Sequence, residues 1–96
     1  MARVVVTARA ERDIRDLIRS HDLPPNSPER FRRVLEPLAA FPELGATVGG
    51  IFANQRFVLG RWRWMIVIYE IDEAADTVLI LRVVDGRTSS SPLANR

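Results

Sequence analysis

Arg56-Phe57-Val58-Leu59-Gly60-Arg61-Trp62-Arg63-Trp64-Met65-Ile66-Val67-Ile68-Tyr69-Glu70-Ile71 holds two runs of β-branched and aromatic residues separated by Gly60-Arg61. Runs of this composition favour strands, and glycine at the first central position of a two-residue link signals a type II′ hairpin turn. Such a turn sets Val58 opposite Arg63 and Phe57 opposite Trp64. Because side chains alternate along a strand, Arg56, Val58, Arg63, Met65, Val67 and Tyr69 then share one sheet face. Phe57, Leu59, Trp62, Trp64, Ile66 and Ile68 take the other, where the tryptophans are expected as core beneath a covering layer rather than as a stacking platform.

Working outward, Asp72-Glu73-Ala74-Ala75-Asp76 reads as a turn and Thr77 to Asp85 as the last strand. The length of the turn decides the face of Arg82, since a slip of one residue reverses every side chain. A four-residue connection pairs Asp72 with Thr77 and gathers Arg56, Arg63 and Arg82 on one face. A five-residue connection puts Asp85 opposite Arg63. The first is the better reading, because it keeps Val78, Ile80 and Val84 with Met65 and Val67.

Upstream, Arg3-Val4-Val5-Val6-Thr7 is a short β-branched run, predicted as the first strand. From Thr7, a suitable N-cap, the period changes: Ala10, Ile14, Leu17 and Ile18 form one helical stripe, and the pairs Arg9/Asp13, Glu11/Arg15 and Arg12/Asp16 read as a solvated face. Pro24-Pro25 ends that helix. Ser27-Pro28-Glu29 predicts a second helix with serine at the N-cap and proline in the first helical position. Its stripe runs through Phe31, Val34, Leu35, Leu38 and Phe41, with a break expected between Arg33 and Pro37 because Pro37 removes a backbone hydrogen bond. The whole predicts an α+β fold, β-α-α-β-β-β, with an N-terminal strand and a two-helix hairpin packed on a mainly antiparallel four-stranded sheet. Residues 1–96 form one domain, with 86–96 a flexible C-terminal tail.

The 96 residues carry 14 basic side chains against 12 acidic ones, and every basic one is arginine. The sequence pI near 10.4 therefore reports mainly that nothing basic titrates below arginine, not a large positive charge. Without cysteine there is no disulfide framework or thiolate site, and the single histidine, His21, cannot make a multi-histidine metal centre. No cofactor and no metal is expected. No apolar run approaches the roughly 20 residues of a membrane span, so no membrane association is expected and the cytoplasm is the expected compartment. His21, at the end of the first helix, reads as a cap facing the negative end of the dipole rather than as a catalytic group. Asp72, Glu73 and Asp76 read as ordinary turn residues, and Ser89-Ser90-Ser91 as tail.

What remains is an arginine-aromatic pattern. Arginine matches anionic oxygens bidentately and stacks on rings, which makes Arg56, Arg61, Arg63, Arg82 and Arg87 the candidates for contact with a target. Arg63 and Arg82 stand out because a charge inside an apolar strand is costly unless it is paired or meets a partner.

The element order, the link Phe41-Pro42-Glu43-Leu44-Gly45, an Arg-Trp followed by Ile68-Tyr69 in the central strand, and the ending Val83-Val84-Asp85-Gly86-Arg87 together resemble the RelE/ParE superfamily of type II toxins. The resemblance covers nearly the whole chain. It implies a cognate antitoxin that wraps the toxin, in a toxin–antitoxin hetero-oligomer, and one of two targets. RelE-like members resemble ribosome-dependent mRNA endonucleases. On that branch Arg63, Arg82 and Arg87 would be catalytic, with Tyr69 the one tyrosine available for proton transfer. ParE-like members resemble inhibitors of DNA gyrase that act by binding. The chain departs from the endonuclease pattern: no tyrosine or histidine follows Arg87, there is no lysine, and Asp85 stands where a histidine often does. The expectation is therefore a toxin of ParE-like type, with the endonuclease as the alternative and a non-toxic interaction module as the second.

Overall fold

The computed structural model describes residues 2–47, 54–60 and 62–87. Strand β1 (Arg3–Val6) leads into helix α1 (Ala8–Ser20), followed by α2 (Ser27–Leu35), the short α3 (Pro37–Ala40) and a 3₁₀ turn at Pro42–Leu44. Strands β2 (Ala46–Thr47), β3 (Gln55–Leu59), β4 (Met65–Asp72) and β5 (Thr77–Asp85) complete one sheet in the order β1-β5-β4-β3-β2. β1 runs parallel to β5 and the other neighbours are antiparallel. The α+β architecture is the one predicted, with a correction: the sheet has five strands, because the chain leaving Gly45 pairs Ala46 with Phe57 and Thr47 with Arg56.

Thr7 caps α1 as expected, its Oγ1 accepting the Ala10 amide at 3.2 Å while donating to the Ile80 carbonyl at 2.7 Å, so one hydroxyl opens the helix and ties it to β5. The start of α2 differs from expectation. Asn26 is the N-cap position, and Ser27 lies inside the helix with its hydroxyl donating to the Pro24 carbonyl at 2.6 Å. The proline-proline link already satisfies that hydroxyl, so it does not cap. The break before Pro37 is where the sequence put it.

Helices α1 to α3 cover one sheet face. Ala10, Ile14, Phe31, Leu35 and Leu38 pack with Met65, Val67, Tyr69, Val78, Ile80 and Val83, all buried. Ile66, Ile68 and Val84, with Phe57 against them, form a smaller cluster apart from it. Phe41, at the end of the predicted stripe, is 66% exposed, because the helix stops at Ala40.

The hairpin between β3 and β4 is longer than the two-residue turn read from Gly60-Arg61. Leu59 pairs with Ile66 and Val58 with Val67, and the Gly60 amide donates to the Met65 carbonyl at 2.8 Å. Trp62, Arg63 and Trp64 therefore belong to the connection and not to a strand. The pairing differs from the predicted one by four residues, an even number, so the strand faces come out unchanged. What changes is the layer: the helices cover the Met65/Val67/Tyr69 face, and Trp62 and Trp64 pack partly against that core from the connection instead of lying under the helices with Ile66 and Ile68.

The β4–β5 connection pairs Asp72 with Thr77, the shorter of the two readings. Further along, Tyr69 pairs with Ile80 but Ile68 with Arg82, so Leu81 is an extra residue in the ladder. A bulge of this kind shifts the register by one. Val83 consequently joins the helix-side core and Val84 the smaller cluster, contrary to the expectation that Val84 sits with Met65 and Val67.

Candidate functional site

The end of α1 and the end of β5 converge beside the β3–β4 connection, and this convergence gathers a connected cluster of polar and aromatic groups. β5 pairs Asp85 with Met65, and the Gly86 amide donates to the Trp64 carbonyl at 2.7 Å, which turns the chain so that Arg87 folds back over Asp85. The Arg87 amide donates to Asp85 Oδ1 at 2.9 Å, its Nε to the same oxygen at 2.9 Å, and its Nη2 to Oδ2 at 2.8 Å. This is a bidentate, charge-assisted pair.

α1 supplies the third member. His21 occupies the C-cap position, its amide donating to the Leu17 carbonyl, but its ring has another task. Nε2 lies 3.1 Å from Asp85 Oδ2, and Nδ1 lies 2.8 Å from Ser20 Oγ. The ring stacks on Trp64 at 4.2 Å with planes 12° apart, and Trp62 stacks on Trp64 at 5.7 Å. The Arg87 guanidinium sits 5.4 Å from the Trp64 ring centroid, a cation–π distance. Its Nη2 is 3.4 Å from His21 Nε2.

The electrostatics follow from these contacts. The Arg87 guanidinium holds the Asp85 carboxyl well below the usual carboxylate range; burial opposes this, and the Arg87 amide and His21 add to the lowering. The same pair raises Arg87 further above its ordinary value. The carboxylate side chain is only 10% exposed and the arginine 64%, so the pair presents its positive end to solvent.

The other sequence-predicted residues are dispersed. Arg56 donates from Nη1 to the Gly45 carbonyl at 2.9 Å, and so braces the Pro42–Gly45 link. Arg82 donates from Nε to Asp13 Oδ2 of α1 at 2.8 Å. Arg63 is exposed in the β3–β4 connection. The predicted gathering of Arg56, Arg63 and Arg82 on one face is thus not realised: one lies outside a strand, and the bulge and the Asp13 pair claim another. Arg61 lies outside the described residues, as do residues 88–96 of the predicted tail. Tyr69 is fully buried; its hydroxyl donates to the Pro42 carbonyl at 2.7 Å and accepts the Gly45 amide at 2.8 Å. Burial raises its pKa above the ordinary 10.0.

Sequence reading missed His21 and Asp85 as a pair. They lie 64 positions apart, and each had an adequate local explanation, as a helix cap and as a strand end. Among the described residues no group of acidic or histidine side chains is arranged to hold a metal ion, and no helix is long and apolar enough to cross a membrane.

The fold is one that toxins of the type II toxin–antitoxin class share. The chain belongs to the family described as ParE toxin of type II toxin–antitoxin system, parDE, whose model matches residues 4–89. Among solved structures it is similar to the toxin–antitoxin complex RelBE2 from Mycobacterium tuberculosis, with 27% identity, 88% of this chain and 96% of that chain covered, and a TM-score of 0.66. The isolated E. coli RelE toxin shares the fold at 15% identity, with 94% of this chain and 89% of that chain covered and a TM-score of 0.65. So does the conserved hypothetical protein HP0892 from Helicobacter pylori, at 11% identity, 88% and 94% coverage and a TM-score of 0.62. A sequence comparison with curated proteins finds no match.

Proposed function

We propose that this toxin inhibits growth by binding its target, DNA gyrase, rather than by cutting RNA, and that a cognate antitoxin neutralises it. The single observation that carries the reading is the commitment of Arg87 to Asp85. An arginine that stabilises a phosphodiester transition state must take up developing negative charge, and a guanidinium already bonded through two nitrogens to a buried carboxylate is poorly placed to do so. It remains a good hydrogen-bond donor for recognition. Tyr69, with its hydroxyl bonded on both sides inside the core, is closed to proton transfer with a substrate. Arg87, with the exposed Arg63 nearby in sequence to the Trp64 platform, is the proposed centre of the target contact. The antitoxin partner is supported by the likeness to a solved toxin–antitoxin complex.

The endonuclease alternative draws on one feature, the His21 ring 3.4 Å from Arg87 Nη2, which would be its proton-transfer group. Two assays separate the readings. Purified toxin should inhibit gyrase supercoiling and leave mRNA intact in a translating extract; unaffected supercoiling together with in-frame mRNA cuts that vanish in Arg87→Ala would replace the binding reading with the endonuclease.

A further inference from the structure

We propose that Asp85, supported by His21 and Trp64, is a positioning residue that holds the Arg87 guanidinium ready for a carboxylate on the protein that the toxin inhibits. The identity of that protein rests on the reading above; the role of Asp85 does not.

The geometry of the fork sets the direction of binding. Arg87 spends Nε and one hydrogen of Nη2 on Asp85. Nη2 also lies 3.4 Å from His21 Nε2, but a ring nitrogen that donates its hydrogen to Asp85 Oδ2 has no lone pair left to accept one. Because a guanidinium is planar with five donors, Nη1 and the second Nη2 hydrogen lie along the edge turned away from that carboxylate. Trp64 lies against the guanidinium, and the Trp64 ring is itself stacked on His21 and Trp62. His21 and the Arg87 amide hold the Asp85 carboxylate in turn. An exposed arginine would otherwise lose its rotamer freedom when a partner binds, and one already held loses less. Two neighbouring donors on one edge match the two oxygens of a carboxylate. Asp85 behind the guanidinium repels any incoming anion in proportion to its charge, so a carboxylate with one negative charge is favoured over a phosphoryl group that gathers a second in its transition state.

The test is a double-mutant cycle read on two assays: growth inhibition on induction without antitoxin, and inhibition of supercoiling by purified protein. Asp85→Asn and Arg87→Ala should each raise the concentration for half-inhibition about tenfold, which is about 1.4 kcal/mol. The double variant should be no weaker than Arg87→Ala alone, because Asp85 acts through Arg87. Arg87→Lys should not rescue, since an ammonium cannot bond both partners across a planar fork. Thermal unfolding and circular dichroism check that each variant is folded; if Asp85→Asn is not, His21→Gln, on the more exposed partner, takes its place in the cycle with the same expected non-additivity. A folded Asp85→Asn that inhibits as well as or better than the parent, or losses that add in the double variant, would overturn the proposal. If the parent stops growth without touching supercoiling, gyrase is the wrong target and the cycle read on growth still decides the role of Asp85. A parent that does not stop growth overturns both.

Discussion

The Asp13 carboxylate of α1 and the Arg82 guanidinium of β5 meet with Arg82 Nε 2.8 Å from Asp13 Oδ2, and the same oxygen accepts the Val83 amide at 3.0 Å. Arg9 adds a looser contact to the other oxygen at 3.5 Å. One carboxylate thus pins the helix to the strand just past the bulge, where β1 has ended and no longer pairs with β5. Asp13→Ala leaves the Val83 amide without its acceptor and Arg82 without its partner. The expected loss is about 2–3 kcal/mol, or roughly 10–20 °C in Tm at about 4–8 °C per kcal/mol. Arg82→Ala should cost less, since Asp13 keeps Val83 and Arg9. Equal losses in thermal or urea unfolding would contradict this account.

Tyr69→Phe removes the hydroxyl that accepts the Gly45 amide and donates to the Pro42 carbonyl, both at the covered edge of the sheet. Leaving that amide unsatisfied should cost about 1–3 kcal/mol, while the aromatic packing is kept. The pH dependence has a definite sign. Burial raises the Tyr69 pKa in the folded chain, so the unfolded chain loses its phenolic proton first, and the stabilisation present below pH about 10 is lost as pH rises beyond it. Tyrosinate absorbance should appear together with unfolding, and Tyr69→Phe should flatten this alkaline limb.

Gly45 is needed for space and not for backbone freedom. Its φ of −76° suits any residue, but a Cβ there would lie 2.6 Å from the Phe57 carbonyl oxygen and 2.6 Å from the Tyr69 hydroxyl. The first obstacle is backbone in β3 and cannot swing aside. Gly45→Ala should therefore destabilise by about 1–3 kcal/mol as an overpacked site, measurable by urea unfolding. A neutral Gly45→Ala would show that the link is looser than the Tyr69 hydrogen bonds imply.

Asp85 makes the acid limb of stability. Its folded-state pKa is depressed chiefly by Arg87, so its contribution is present above the ordinary carboxylate pKa of about 4 and is lost as pH falls toward the folded value. Asp85→Asn should be less stable than the parent near neutral pH, with the difference shrinking steadily below pH about 4. Urea unfolding at several pH values checks this. A difference independent of pH would mean that Asp85 acts through its shape and not its charge.

Much of this molecule was legible because it is local. Thr7 could be read as a cap from its place before an amphipathic run, Pro37 as a break from its missing amide, and the Asp72–Thr77 pairing from an apolar pattern that would otherwise turn outward. The site was less legible. Asp13 looked like one member of a solvated i,i+4 row, yet it is only 9% exposed, because the strand facing it carries Arg82 and the Val83 amide, both of which donate to it. Trp62 and Trp64 looked like strand residues, but the connection is longer than Gly60-Arg61 suggested, and this frees Trp64 to stack on His21 and Trp62 to stack on Trp64. Arg87 was singled out for its charge, while Asp85, which holds it, read only as a strand end standing where a histidine often does.

Period, capping and turn chemistry act over a few residues, so the sequence was enough for the helices, the four longer strands, their order and the faces of β3 and β4, which survive an even-numbered change of register. The class of protein came from the resemblance of its motifs to a known family, and the two-residue β2 and the faces of β5 past Leu81 lay outside what the sequence showed. Only the tertiary structure decided which face the helices cover, where the bulge at Leu81 shifts β5, and that His21, Trp64, Asp85 and Arg87 form one cluster. Those outcomes depend on contacts between residues far apart in the chain, where burial makes a carboxylate accept the nearest donors that geometry allows, and no local pattern records which donors those will be.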